Sequence, residues 1–337
     1  VAGDGEGWGG ELWAAADLLT PMAVRVAATL RLADHIAGGT RTGAALAAAV
    51  DAEPDALERL LGHLVTARVL TREGDGTYGL TGLGEQLRDA HPAGLRAWLD
   101  LEGAIGHADL CFTELLHTVR TGEPAFPRRF GRAFWDDLSA DARRAASFDA
   151  LMGGRLTEEA PALAAAYPWG GLGRVVDVGG GDGSLLIAIL RAHEDLRGTV
   201  VDLPGPVARA KEAISAAGLG DRAEAEAGSF FDPLPAGAGG YLLSGVLHDW
   251  DDEHAARILR RCAEAAAGTG KVLVVENVAN VEGSTRDTEG DLRMLCYVRG
   301  RERTLGELDA LAGSAGLRVG SARPGGLHSI IELHPSG

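Results

Sequence analysis

Along residues 11 to 96 the apolar positions recur at helical spacing with short breaks. Leu18, Met22, Val26, Leu30 and Leu32 fall near one face, and Pro21 sits where a first turn tolerates it. Thr42 is placed to cap a helix running to Ala49. Pro54 opens a second helix whose Leu57, Leu60, Leu61 and Leu64 share a face. Val69-Leu70-Thr71, Gly74-Asp75-Gly76 and Thr77-Tyr78-Gly79-Leu80 then read as strand, turn and strand. Two helices followed by a hairpin predict a winged helix inside a mainly α region over residues 1–98.

Residues 99–166 keep the helical period, with a break at Gly122-Glu123-Pro124 and Pro127. Phe126, Phe130, Phe134, Trp135 and Phe148 are dense there for a chain with 5% aromatic residues. Core packing accounts for most of them, and Trp135, Phe148 and Met152 are candidates to line a flat apolar pocket.

Over residues 167–337 the texture changes to strands alternating with helices. Strands are expected at Val175–Val178, Gly198–Val201, Ala223–Ala227, Tyr241–Leu243 and Lys271–Val275. Helices are expected at Leu185–Ala192, Pro206–Ala217 and Glu253–Ala267. This alternation predicts an α/β fold with a doubly wound parallel sheet.

A winged helix raises the question of DNA binding, and charge answers it. The formal charge is −16, a field that repels phosphate backbones and anionic membranes. The helix that would read a groove offers Asp55, Glu58, Arg59 and His63 and no basic cluster. Its expected role is structural, with apolar faces through Leu12, Trp13 and Met22 packing on a second copy. Cys111, Cys262 and Cys296 are odd in number and far apart, which predicts neither a disulfide framework nor a zinc site. No stretch has the roughly 18 to 20 apolar residues of a membrane helix. Val1 to Gly10 is acidic and glycine-rich, unlike an export signal, so the cytoplasm is expected.

In doubly wound sheets ligands sit at the carboxyl ends of the strands, and four strand ends carry chemistry here. After the first comes Asp177-Val178-Gly179-Gly180-Gly181-Asp182-Gly183, whose glycines permit a tight turn and close approach of a ligand to the backbone. By itself such a turn leaves a dinucleotide open. Ser184 in place of the last glycine of the dinucleotide pattern, with Asp177 and Asp182, is the wrong polarity for pyrophosphate and suits an ammonium and a sulfonium, as in S-adenosylmethionine. The second strand ends in Asp202, a carboxylate placed to accept both ribose hydroxyls. The third ends in Gly228-Ser229-Phe230-Phe231, offering a hydroxyl and an aromatic edge for adenine. The fourth ends in Ser244-Gly245-Val246-Leu247-His248-Asp249-Trp250-Asp251-Asp252, which brings His248, with an ordinary pKa around 6.5, to the ligand face as a proton acceptor. The fifth ends in Glu276; this glutamate and Glu302 are both expected to reach the crevice, either one able to orient the imidazole. No metal ligand set is visible.

Taken together, the glycine turn, Asp202, the Leu247-to-Asp252 run, Glu276, Asp291-Leu292-Arg293-Met294-Leu295 and Glu302-Arg303-Thr304 resemble the S-adenosylmethionine-dependent small-molecule O-methyltransferases. These join an N-terminal winged-helix dimerisation region to a Rossmann-like catalytic domain, and the resemblance spans about Leu18 to Leu333. It is strongest toward bacterial secondary-metabolite enzymes of the neocarzinostatin naphthoate type and their anthracycline relatives. It implies a Rossmann-like class I methyltransferase sheet over residues 167–337, a linker region over 99–166 contributing to the substrate pocket, and a homodimer. It makes His248 the general base, flanked by Glu276 and Glu302. Asp177, Gly179, Gly181, Gly183, Asp202, Leu203, Ser229, Phe230 and Ser244 would bind S-adenosylmethionine, leaving S-adenosylhomocysteine as product. Trp135, Phe148, Met152, Asp249, Met294 and Arg299 would hold an aromatic acceptor. Two positions depart from the family pattern: Ser229 stands where many members have an acid, and Arg299-Gly300-Arg301 replaces Gly-Gly before the Glu-Arg pair. Arg299 or Arg301 is therefore expected to meet an anionic group such as an aromatic carboxylate. Relatives that have drifted to hydroxylation or decarboxylation are the first alternative, which His248 disfavours; a DNA-binding regulator is the second.

Overall fold

The computed structural model describes residues 10–282 and 284–336, so most of the acidic opening from Val1 lies outside the described residues. The chain forms two compact units, one reaching Leu110 and including Asp141–Phe148, the other made of Cys111–Ala140 and the chain from Asp149 onward.

In the first unit Thr42 Oγ1 accepts from the Ala45 N–H and starts the helix Gly43–Ala49. The Glu53 carboxylate accepts from Asp55 N and Ala56 N ahead of the helix Pro54–Thr66. Strands β1 (Leu70–Arg72) and β2 (Tyr78–Leu80) close the antiparallel hairpin. Leu32, Ile36, Leu46, Leu57, Leu61, Leu64 and Tyr78 form its core. The face that a groove-reading helix would present is committed locally: Glu58 accepts from the Tyr78 hydroxyl at 2.8 Å and pairs with Arg72 at 2.9 Å, while Arg59 pairs with Asp55.

The second unit holds a seven-stranded sheet made of β3 (Arg174–Val178), β4 (Arg197–Asp202), β5 (Ala223–Ala227), β6 (Gly240–Ser244), β7 (Lys271–Glu276), β8 (Leu317–Pro324) and β9 (Ser329–Pro335). Their order across the sheet is β5-β4-β3-β6-β7-β9-β8. Strands β3 to β7 are parallel, as their alternation with helices predicts. Strands β8 and β9 were not foreseen; they extend the sheet antiparallel beyond β7 and make it mixed. In β6, Tyr241 and Leu243 point to one core and Leu242 to the other; in β7, Val272 and Val274 oppose Leu273 and Val275 in the same way. Both faces are covered, which is why these strands read as unbroken apolar runs. The chain runs outward from β3 through β4 to β5, then returns to β6 on the other side of β3. This reversal opens a crevice at the carboxyl ends of β3, β4 and β6. Among the described residues no helix is long and apolar enough to cross a membrane.

Candidate functional site

The glycine turn follows β3 directly, and its backbone explains its composition. Gly179, Gly181 and Gly183 have φ of 75°, 59° and 78°, left-handed values that side chains disfavour. Gly180 is required for a different reason: a Cβ there would lie 2.5 Å from Asp177 Cγ. Asp177 is only 1% exposed beneath the turn, and its Oδ1 is buried with no hydrogen-bond partner. Burial, and then the charges of Asp202 and Asp182, push its carboxyl up to about 7. An unsatisfied acidic cradle under a turn whose Gly179, Gly181 and Gly183 carry no side chains fits the cationic methionyl end of S-adenosylmethionine and opposes a diphosphate.

Asp202, at the end of β4, secures the turn from the side. Its Oδ2 accepts from the Gly181 N–H at 2.8 Å and its Oδ1 from the Leu203 N–H at 2.6 Å. Each oxygen keeps a second lone-pair direction for a ribose hydroxyl. Burial raises its carboxyl, and the two N–H donors oppose that shift. Asp182 Oδ1 accepts from Ser184 N and Ser184 Oγ, so the residue that breaks the dinucleotide pattern also serves the start of the helix Ser184–Ala192. After β5, Ser229 Oγ accepts from the Phe231 N–H. Phe230 packs edge-on against Phe231 and Trp250. Ser244 is half-buried at the end of β6.

The loop after β6 adjoins the glycine turn, since a Cβ on Gly179 would come within 2.9 Å of Val246 Cγ2. Two residues farther on, His248 lies in a short 3₁₀ turn, Leu247–Asp249. Its Nδ1 is 2.8 Å from Oε1 of Glu302, which is 6% exposed, and its Nε2 is 3.6 Å from Asp249 Oδ1. Burial by itself would lower the imidazole; Asp249, Glu302 and Glu276 outweigh it and push the ring up to about 10. Burial also lifts Asp249 to about 6, against the opposing pull of His248. Of the two glutamates expected to orient the ring, Glu302 does so. Glu276 instead accepts from the Leu247 N–H at 2.6 Å and the His248 N–H at 3.1 Å, holding the backbone of the turn rather than the imidazole. The reason is its place at the end of β7, beside β6 and directly under the turn.

Two residues whose roles sequence reasoning missed complete the loop. Arg303, 3% exposed, donates from Nη1 to the Leu247 carbonyl and from Nη2 to the Trp250 carbonyl, each at 2.8 Å, and binds Asp252 Oδ1 through Nε and Nη2. It brackets His248 from both sides. Gly300 lies so close to the His248 and Asp249 backbone that a Cβ would overlap the His248 carbonyl oxygen, and the adjacent Arg301 N–H donates to that oxygen. The Arg299-Gly300-Arg301 and Glu302-Arg303 runs signalled this segment, but not these contacts.

The expected acceptor residues divide between the units. Trp135 packs edge-on to Phe134, which stacks on Tyr297 at 5.5 Å; Met152 and Met294 are half-buried in the same unit. Phe148 belongs to the stretch that clusters with the first unit. Arg299 is exposed at the end of the helix Thr288–Val298 and pairs with Glu123 at 3.5 Å, while Arg301 pairs with Glu307 and Asp252. Both guanidinium groups thus already hold carboxylates of this chain.

Comparison with known proteins identifies the family. Residues 112–318 match the model of the O-methyltransferase domain, and residues 13–88 that of the O-methyltransferase dimerisation domain. The chain is 58% identical over 322 residues to the 2,7-dihydroxy-5-methyl-1-naphthoate 7-O-methyltransferase of Streptomyces carzinostaticus, covering 96% of each. It is 51% identical over 320 residues to the aclacinomycin 10-hydroxylase RdmB of Streptomyces purpurascens, covering 92% of this chain and 84% of that one. Among solved structures it superposes with a TM-score of 0.92 on NcsB1, an O-methyltransferase from neocarzinostatin biosynthesis in complex with S-adenosylmethionine and 2-hydroxy-5-methyl naphthoic acid. That match has 57% identity and covers 96% of this chain and 98% of the other.

Proposed function

The chain belongs to the O-methyltransferase family, in the group that carries its own dimerisation domain, and from that premise we propose that it moves the methyl group of S-adenosylmethionine onto a phenolic oxygen of a bicyclic aromatic acid. The acceptor class follows the hydroxynaphthoates of the relatives, and the setting is secondary-metabolite biosynthesis in the cytoplasm by a homodimer. The observation that carries the reading is His248, on the loop whose Val246 meets the glycine turn, with Nδ1 engaged by Glu302, which leaves Nε2 as the nitrogen for an acceptor hydroxyl.

When bound, S-adenosylmethionine supplies an electrophilic methyl group and a sulfonium charge. The residues of this chain bind, orient and deprotonate. Asp177 and the bare turn of Gly179, Gly181 and Gly183 receive the methionyl end, Asp202 and Leu203 the ribose, and Ser229, Phe230 and Ser244 the adenine side. Trp135, Met152 and Met294 offer apolar surface to a flat acceptor, and Asp249 meets its polar edge. His248 accepts the phenol proton at Nε2 as the oxygen–carbon bond forms. For this the imidazole has to be neutral; the carboxylates around it favour the charged ring, and positive charge entering the crevice opposes them. Displacement at carbon demands that oxygen, methyl and sulfur lie in line, so holding the acceptor accounts for much of the acceleration. Arg299 can serve a substrate carboxylate by exchanging Glu123 for it.

Incubation with S-adenosylmethionine and a panel of hydroxylated mono- and bicyclic aromatic acids, followed by mass spectrometry, tests the assignment. The expected product is heavier by one methylene. A chain that binds the cofactor yet methylates no phenol would overturn the assignment. His248→Ala is expected to lower turnover roughly 10²- to 10⁴-fold while cofactor affinity stays within about twofold. The likeness to the 10-hydroxylase favours a second reading, in which one atom of dioxygen enters the product and a two-electron reductant converts the other to water; the same spectra, with dioxygen and a reductant added to the incubation, separate the two.

A further inference from the structure

The long helix Ala142–Ala166 passes close to the glycine turn, and one ion pair fastens it there. Asp149, on its second turn, bonds Arg209 of the helix Pro204–Ala216 at 2.8 Å, with the two side chains 28% and 40% exposed. Asp149 and Gly153 share a face of the helix, four residues apart. At Gly153 the helix rests on the turn itself, since a Cβ there would lie 3.1 Å from Asp182 Oδ2. Arg209 acts on both sides of the gap: its charge opposes the burial-driven rise of Asp202 as well as that of Asp149. Asp182 and Asp202 in turn raise Asp149, so Asp149 faces two carboxylates of other segments and one guanidinium that offsets them. The Arg209 Nε is buried and has no hydrogen-bond partner, a donor held inside the structure and not shared with the ion pair.

We propose that the Asp149–Arg209 pair is a latch that holds the long helix against the cofactor cradle and sets how fast cofactor and product leave it. The inference rests on the reading of the glycine turn as a site for S-adenosylmethionine. It follows from the placement of the pair. Neither residue lies in the glycine turn, at a strand end or in the His248 loop, yet the pair joins the helix touching Asp182 to the helix that begins just after Asp202. Loosening it frees the helix from the cradle, and Asp149→Asn does so while leaving the Arg209 charge beside Asp202 in place. A closed helix slows release because it has to move away before the bound product can leave.

The test is stopped-flow release of S-adenosylhomocysteine from the full chain, with thermal unfolding measured alongside to establish that each variant is folded. Asp149→Asn and Arg209→Gln are each expected to speed release about fivefold, the scale of a partly screened ion pair. The exchanged double variant, Asp149→Arg with Arg209→Asp, is expected to return release to within about twofold of the parent. Unchanged release in both single variants, or an exchange no better than the singles, overturns the latch while leaving the cofactor site intact. A parent chain that retains neither S-adenosylmethionine nor S-adenosylhomocysteine would instead remove the reading on which the latch rests.

Discussion

At the scale of single residues the chemistry turns on one imidazole between two carboxylates. Glu302 engages Nδ1 at 2.8 Å and Asp249 stands 3.6 Å from Nε2, which keeps the ring well above its ordinary value in the ligand-free chain. A base works only when neutral, so kcat/KM is expected to rise with pH on its acid limb as the ring loses its proton. Glu302→Gln removes a negative neighbour and destabilises the charged ring; the imidazole pKa falls and the acid limb moves to lower pH, with a reduced plateau because the ring is less firmly oriented. A pH–rate series on the two chains checks this, and a limb moving to higher pH would exclude Glu302 as the charge that sets the ring. His248 and Glu302 were both legible as residues. Which nitrogen Glu302 engages was not, because that depends on where a loop more than fifty residues away in sequence returns.

At the scale of elements, the His248 turn is held by groups that contribute no chemistry of their own. Glu276 accepts its N–H groups from below, Arg303 collects its carbonyls, and Gly300 lets the returning segment pass against its backbone. A guanidinium suits this task because its planar fork reaches several acceptors at once, which an ammonium does not reproduce. Arg303→Lys is therefore expected to lower kcat about tenfold or more with little change in cofactor affinity, as measured by steady-state kinetics and calorimetry. Equal kcat in the two chains would show that Glu276 alone positions the turn. The segment after Arg303 is anchored independently. Thr304 and Glu307 form a reciprocal cap on the helix Leu305–Ser314, so Thr304→Ala should lower stability by about 1 kcal/mol in chemical denaturation.

At the scale of the whole molecule, apolar surface remains on the first unit where the family places its dimerisation domain. Leu12, Trp13, Leu18 and Leu19 are 78%, 61%, 73% and 67% exposed, a grouping of large side chains that a second copy would cover. Sedimentation is expected to give a dimer of the 34.9 kDa chain, and Trp13→Asp with Leu19→Asp to shift it toward monomer. A parent chain that sediments as a monomer at micromolar concentration would assign that surface to another partner.

The sequence by itself determined what is local or periodic. Alternation of apolar runs with amphipathic ones yields the parallel strands. Thr42 and Pro54 start the helices of the winged unit, and the identity of the residues at each strand end specifies an acidic, glycine-lined site with a histidine. Strands β8 and β9 escaped notice because an antiparallel extension carries no intervening helix to announce it, and their runs, Leu317–Pro324 and Ser329–Pro335, mix apolar with charged residues. Only tertiary structure decided which donors and acceptors meet: Glu302 on the imidazole, Glu276 on the backbone beneath it, Arg303 around both, and Asp149 on Arg209. Hydrogen bonds and ion pairs between distant segments depend on ångström-scale positions, which hydrophobic periodicity does not encode.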